Sequence, residues 1–326
     1  QPDIARVDLD DTRVLAYDDR DRLVWKRDLG EEVLPNFLGS TYSTAFELRE
    51  LDRFVVLPRR WPWAANVVVS TRPAQGPGHV WRLGWRGRTV WKRTLEWEPP
   101  REAHTGALKC VFQVLVPWGD GRDAIALNVR DADWSSTAIQ FITTEGKPLG
   151  AYHHPGHLDY RGVADLDGDG RAELVLSGRN NRAPRDPALY AEPPGEEWIE
   201  CLLALEPPWV DGQAYPCSTW AGLPRAREQG YVLFPPLRRG PTPLKDSPRV
   251  EKVDFGRPVA GGQPQIEVRL KDGRIYTLDS RLRPLDCTVG SETYAATLAP
   301  TRALAPLLYF HEGRRDTFDL PVPRGS

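Results

Sequence analysis

Residues 165 to 173 read Asp165-Leu166-Asp167-Gly168-Asp169-Gly170-Arg171-Ala172-Glu173, with carboxylates at the first, third, fifth and ninth places. Alternate spacing lets a tightly turning loop aim several oxygens at one centre, and a cation of calcium's size takes about six to eight oxygen ligands. Gly168 and Gly170 permit the sharp turn. Four carboxylates this close repel one another unless a cation sits among them. The candidate ligand set is therefore Asp165, Asp167, Asp169, Arg171 through its carbonyl, and Glu173, and the expected ion is Ca2+. Two other readings stand beside it. One is a solvated acidic turn that binds nothing. The other is an EF-hand, whose loop also begins Asp-x-Asp-x-Asp-Gly. Against the EF-hand, the twelfth position is Leu176 rather than Glu, and the flanks Tyr160 to Ala164 and Leu174 to Ser177 are strand-like.

His153, His154 and His157 form a second cluster, and transition metals bind imidazole. Pro155 and Gly156 make the segment a turn, so a surface or packing role competes with a metal or ligand role. Pro58-Arg-Arg-Trp-Pro-Trp63 offers an Arg/Trp patch suited to a partner, or equally a solvated edge. There is no G-x-S-x-G, P-loop, dinucleotide fingerprint or H-E-x-x-H, and spacing alone nominates no catalytic residue. None of Cys110, Cys201, Cys217 and Cys287 forms a C-x-x-C pair. Cys110 and Cys201 lie in apolar runs and read as core residues; a Cys201–Cys217 disulfide is the alternative in an oxidising compartment.

These residues need a frame, and composition points to strands. The 326 residues include 31 Pro, 28 Gly and 12 Trp, a balance that favours short strands joined by turns. The one stretch of helical character, 294–308, is interrupted by Pro300 and Pro306. Three segments share a plan of strand, loop, strand, tight turn, strand: 67–91, 125–152 and 174–205. Their marker arginines, Arg72, Arg130 and Arg179, are 58 and 49 residues apart. Hairpins at 13–25 and 266–278 fit the second half of the plan. A period near 50 residues with three or four strands is the signature of a β-propeller blade, because one small sheet cannot bury both faces alone. The expected fold is all-β: a single propeller over 1–320 of about six to seven blades. Blade-like repeats are expected near 13–30, 64–98, 112–156, 160–206 and 250–280, with a closing strand at 305–318. Trp25 and Trp91, at hairpin ends, are expected to fill space between blades. The stretch 180–246, rich in Pro and charge, reads as long rim loops or as a boundary between two smaller β domains.

The segment Asp165 to Leu176 resembles an FG-GAP or VCBS repeat, known from integrin α-subunit propellers and bacterial surface proteins. The resemblance is strong over about 20 residues. It implies a calcium loop joining the first two strands of a blade, with Asp165, Asp167, Asp169, the Arg171 carbonyl and Glu173 as ligands; Glu173 stands where the family often has Asp. A copy one period earlier, Val116-Pro-Trp-Gly-Asp120-Gly-Arg-Asp-Ala124, keeps Gly-Asp-Gly but has Val116, Trp118 and Ala124 at three ligand places. It is expected to keep the blade geometry without metal, which makes the ion a structural staple. Asp8-Leu-Asp-Asp11 is a weaker echo. The string 152–158 is similar to one found in bacterial relatives of this kind and is a candidate rim contact.

Net charge is −2, which argues against nucleic-acid or membrane-surface binding, and no apolar run is long enough to span a membrane. The leading functional expectation is a non-enzymatic binding or sensory module that recognises a protein or carbohydrate through rim loops. The alternatives are a polysaccharide lyase or hydrolase acting at the central channel, and a structural scaffold. Extracellular or periplasmic placement is expected, with the cytoplasm left open. The chain opens at Gln1 without any Met, so its start is expected upstream, with a signal, anchor or further domain before Gln1 left open. Residues 321–326 resemble a tag remnant.

Overall fold

The structure is a computed structural model. It describes residues 4–33, 54–57, 65–73, 75–97, 108–119, 121–131, 136–180, 199–206, 208, 211–214, 223–234, 238–239, 242–243, 249–256, 264–271, 273–289, 307–311 and 314–318. The Arg/Trp patch at 58–63, Cys217, the tail 321–326 and most of 181–198 and 235–248 lie outside these.

The chain is all-β; among the described residues strands are joined by turns, with one short 3-10 segment at Trp85–Gly87. Antiparallel meanders follow one another along the sequence, which is the blade unit expected from the repeat. Arg6–Asp10, Arg13–Tyr17 and Leu23–Asp28 form the first. Phe54–Leu57, Asn66–Arg72, His79–Leu83 and Thr89–Thr94 form the second, with Glu32–Val33 paired to Arg72 and Thr71. Leu108–Gly119, Arg122–Asp131 and Thr137–Thr143 form a third. The strand Pro148–His154 follows the turn closed by Thr143 N–H to the Lys147 carbonyl, 2.8 Å. By contacts the chain divides into two compact units, residues 1–151 and 152–326, with the boundary inside that strand.

Within 1–151, apolar alternation builds two cores, one around Val14, Trp25, Val67, Val69 and Leu83, the other around Val68, Val80, Ile125, Leu127 and Ile142. The two tryptophans repeat one joint. The indole of Trp25 lies against the turn at Gly87, where an added Cβ would meet Trp25 Cε3 at 3.0 Å. Trp91 lies in the same way on Gly146, 3.1 Å from a Cβ there, and its Nε1–H donates to the Thr144 carbonyl at 3.0 Å. Each Trp on a last strand thus packs on the last turn of the next meander, and only a side chain without Cβ leaves room for the ring.

Within 152–326, Leu158–Ala164, Glu173–Asn180, Ile199–Leu205 and Glu228–Phe234 form an antiparallel sheet. The expected closing strand at 305–318 is a hairpin, Leu307–His311 with Arg314–Phe318, added to the edge of that sheet beside Tyr231–Leu233. Leu307 and Leu308, drawn into the helical reading of 294–308, are thus in a strand. Val250–Phe255, Ile266–Leu270, Arg274–Leu278 and Pro284–Val289 make a further meander. One shared core, with Val175, Leu202, Val232, Phe234, Val268 and Tyr276, joins the two sheets. The reading of 180–246 as long loops needs correction at Glu228–Phe234, a strand buried along its whole length. Its apolar side chains come as an unbroken run, so it lacks the alternation of a half-buried strand.

Candidate metal centre

The loop 165–173 joins two neighbouring antiparallel strands, Leu158–Ala164 and Glu173–Asn180, with Ala164 opposite Glu173. These flanks are not the helices of an EF-hand. Leu166 anchors the loop by entering the shared core, and its backbone N–H donates to Glu173 Oε2 at 2.6 Å. Each Asp folds the residues that follow it. The carboxylate of Asp165 accepts from Gly168 N (2.8 Å) and Gly170 N (3.0 Å), Asp167 from Asp169 N (3.1 Å), and Asp169 from Arg171 N (2.8 Å). These are the local side-chain-to-backbone bonds that Asp favours in turns. Gly168 and Gly170 take φ of +80° and +84°.

The fold brings three of the candidate ligands together. Asp165, Asp167 and Glu173 each offer a carboxylate oxygen within 4.8 Å of the others. Asp169 is turned to Arg171 instead: Nε and Nη2 reach its Oδ2 at 2.8 and 2.7 Å, and Nη2 also reaches Glu206 at 2.8 Å. Bonds from the Arg171 backbone and guanidinium hold the Asp169 carboxyl below its ordinary range. Glu173 is the reverse. Its side chain is wholly buried, and Oε1 has no hydrogen-bond partner. Burial pushes its pKa up to about 8; the Leu166 N–H opposes the shift, and the nearby Asp167, Asp165 and Asp169 charges add to it. A buried carboxylate oxygen with no donor, facing two further carboxylates, fits a hard cation that takes oxygen ligands.

The emptied copy keeps a hairpin but follows another path. Its strands run on to Gly119 and start again at Arg122, with Val116 opposite Ala124. Asp120 lies outside the described residues.

Among the described residues the three histidines do not form a group of metal-type donors within 4.8 Å of one another. His154 is buried, with Nε2 2.8 Å from Tyr231 Oη, while His153 and His157 are only half-buried. His153 is lowered by burial, with Asp211 opposing. His154 belongs to an internal polar network: Asn180 Nδ2 donates to Tyr231 Oη at 3.0 Å, Tyr152 Oη donates to Glu228 Oε1 at 2.5 Å, and the Cys201 thiol lies 3.7 Å from His154 Nε2. Cys110 and Cys201 are buried thiols, as a core role requires. Among the described residues, Asp165, Asp167 and Glu173 form the one group of three metal-type donors within reach of one another.

Glu200 was not singled out from sequence. It is 3% exposed; Oε1 accepts from Val250 N at 2.8 Å, and Oε2 has no hydrogen-bond partner. Burial pushes it up to about 8 against the Val250 N–H and the Arg179 and Arg161 charges. Arg161 donates to Ser177 Oγ at 2.5 Å and to the Val250 carbonyl at 2.7 Å, which ties the two sheets. The only sequence signal was a charged residue inside the apolar run 199–205.

No family model matches the chain, and no curated protein matches it. Among solved structures it is similar to the Dos1 propeller, with 8% identity and a TM-score of 0.40 over 97% of this chain and 75% of that one. It is also similar to BBS1N in complex with ARL6DN, with 9% identity, a TM-score of 0.34, and 98% and 88% of the two chains covered. BamB from Moraxella catarrhalis shows 12% identity and a TM-score of 0.31, over 94% and 78%. Likenesses this distant carry no weight for the site; the fold rests on the meanders and the metal centre on its own geometry.

Proposed function

We propose that this chain is a calcium-stapled binding module of the β-propeller kind, related to FG-GAP and VCBS repeats and without catalytic activity of its own. The observation that carries the metal is Glu173: a wholly buried carboxylate whose Oε1 has no donor, set within 4.8 Å of Asp165 and Asp167 oxygens. Asp165, Asp167 and Glu173 would hold the ion directly. Asp169 and the Arg171 carbonyl complete the set if Asp169 leaves the Arg171 guanidinium. The ion supplies charge neutralisation inside the connection between two strands, and the loop's backbone bonds to Asp165 and Asp167 orient those carboxylates.

Recognition of a protein or a carbohydrate is assigned to the Pro- and charge-rich connections within 180–246, because connections between strands are where binding surfaces concentrate. A calcium staple suits an exported, extracellular or periplasmic protein. Among the described residues no helix is long and apolar enough to cross a membrane. The lyase or hydrolase reading has one observation in its favour, the raised carboxyl of Glu200; that group is sealed from solvent and already accepts the Val250 N–H.

The test is thermal melting with calcium and with chelator. Calcium at about 100 times its Kd stabilises the fold by about 2.7 kcal/mol, and Asp165→Asn with Asp167→Asn abolishes the shift. Equal melting temperatures with and without chelator in the parent protein would refute the staple.

A further inference from the structure

The outer strands of residues 1–151 carry a surface that the calcium reading does not use. Leu23–Asp28 ends the first sheet and Thr89–Thr94 ends the second, so each leaves a row of backbone groups without a neighbouring strand among the described residues. The turn at Trp85–Gly87 sits on the first of these: a Cβ on Gly87 would lie 3.2 Å from Arg27 Cβ. That packing gathers Arg27, Arg86 and Arg88 at one joint. All three are exposed, and none forms an ion pair with a carboxylate among the described residues. Several other surface arginines are paired, as in Arg6–Asp8, Arg22–Asp18 and Arg171–Glu206. In a chain of net charge −2 this is a local excess of cations.

Apolar groups border it. Leu23 and Val90 are each 52% exposed and Trp85 is 37% exposed. The Arg86 guanidinium lies 4.0 Å from the centroid of the Trp85 ring. Arg86 holds φ +61°, ψ +24°, in the left-handed region that non-glycine residues rarely adopt. The turn therefore presents a guanidinium and an indole together, in a conformation that its sequence would not choose by itself.

We propose that this edge is a docking surface for an extended acidic segment of a partner protein. Guanidinium groups bind carboxylates through two parallel hydrogen bonds. An edge strand offers backbone donors and acceptors to an extended chain, and apolar side chains of such a segment would cover Leu23, Trp85 and Val90.

The experiment is fluorescence anisotropy on the full chain. The probe is a short labelled peptide alternating Glu with Val, compared with one alternating Thr with Val. The parent protein is expected to bind the acidic peptide at least about tenfold more tightly than the neutral one, and less tightly as salt rises. The variant R27E/R86G/R88E is expected to lose at least about tenfold in affinity; glycine at 86 accepts the left-handed turn. Should that variant fail to fold, Arg88→Gln alone is expected to weaken binding about threefold. Equal binding of the two peptides, or unchanged affinity in a folded variant, overturns the proposal. So does binding of heparin or a single-stranded oligonucleotide in preference to the acidic peptide.

Discussion

Two hairpin connections, 165–173 and 116–124, share Gly-Asp-Gly-Arg and differ at the first, third and ninth places. In the first, eight residues separate the paired Ala164 and Glu173; in the second, two separate the paired Gly119 and Arg122. Ala164 and Glu173 align with Leu115 and Ala124, yet Leu115 pairs with Ile125 and Ala124 with Val116, so the two registers differ by one residue. Val116 and Ala124 are wholly buried, and Trp118 packs on Phe141 with ring centroids 5.1 Å apart. Apolar side chains gain by extending the strands into the core. Carboxylates at the same places gain nothing from that path, and turn instead onto the loop's own N–H groups. The side chains at the first, third and ninth places thus accompany two different backbone paths around a common turn.

The largest expected effect comes from forcing the two together. Val116→Asp puts an unpaired carboxylate into the core and is expected to cost about 4 kcal/mol, read as a lowered denaturation midpoint that calcium does not restore. If the triple variant V116D/W118D/A124E regains stability with calcium, side-chain identity alone makes the loop and strand register has no part in it.

A smaller effect separates the two raised carboxyls. Glu200, raised to about 8, is protonated in the folded chain over a range where the unfolded chain is ionised. Its contribution to stability is full below its unfolded value, near 4.5, and is lost as pH rises toward about 8. One pKa unit is worth about 1.4 kcal/mol, so the loss amounts to a few kcal/mol. Glu200→Gln is expected to flatten the slope of stability between these pH values equally with calcium and with chelator, since Glu200 is no part of the metal centre. A flattening seen only with chelator would couple Glu200 to the loop and break the separation.

The smallest effect tests the turns themselves. Gly170 and Gly121 have φ of +84° and +68°, with nothing within 4 Å of an added Cβ. Alanine at either position is expected to cost about 1 kcal/mol, from backbone conformation alone, in chemical denaturation with chelator present. Unequal costs would show that the two turns are strained differently.

Much of the frame was legible in the sequence. The hairpins at 13–25 and 266–278 were readable because one face of each is buried and the side chains alternate; inner strands of the three repeats, such as Glu173–Asn180 and Ile199–Leu205, are buried on both faces and were readable from the recurrence of one plan. The seats of Trp25 and Trp91 were legible as packing between meanders; the glycines that make room for them were not, because a turn glycine carries no mark of what approaches it. Glu228–Phe234 was missed because it is buried on both faces, so it has no period of two, and it falls outside the repeated plan. In the string His153 to His157, adjacent residues on a strand face opposite ways, so His154 enters the core and His153 stays half-buried, a split that proximity along the chain does not reveal.

By itself the sequence determined the all-β character, the repeat, and the nine-residue loop with its carboxylates, since these follow from local patterns of period two and from turn residues. Only the tertiary structure decided which carboxylates meet. Asp169 is drawn to Arg171, itself held by Glu206, whereas Glu173 begins a buried strand and keeps one oxygen without a donor. The burial of Glu173 and the hold of Glu206 on Arg171 set those differences, and both come from residues outside the loop.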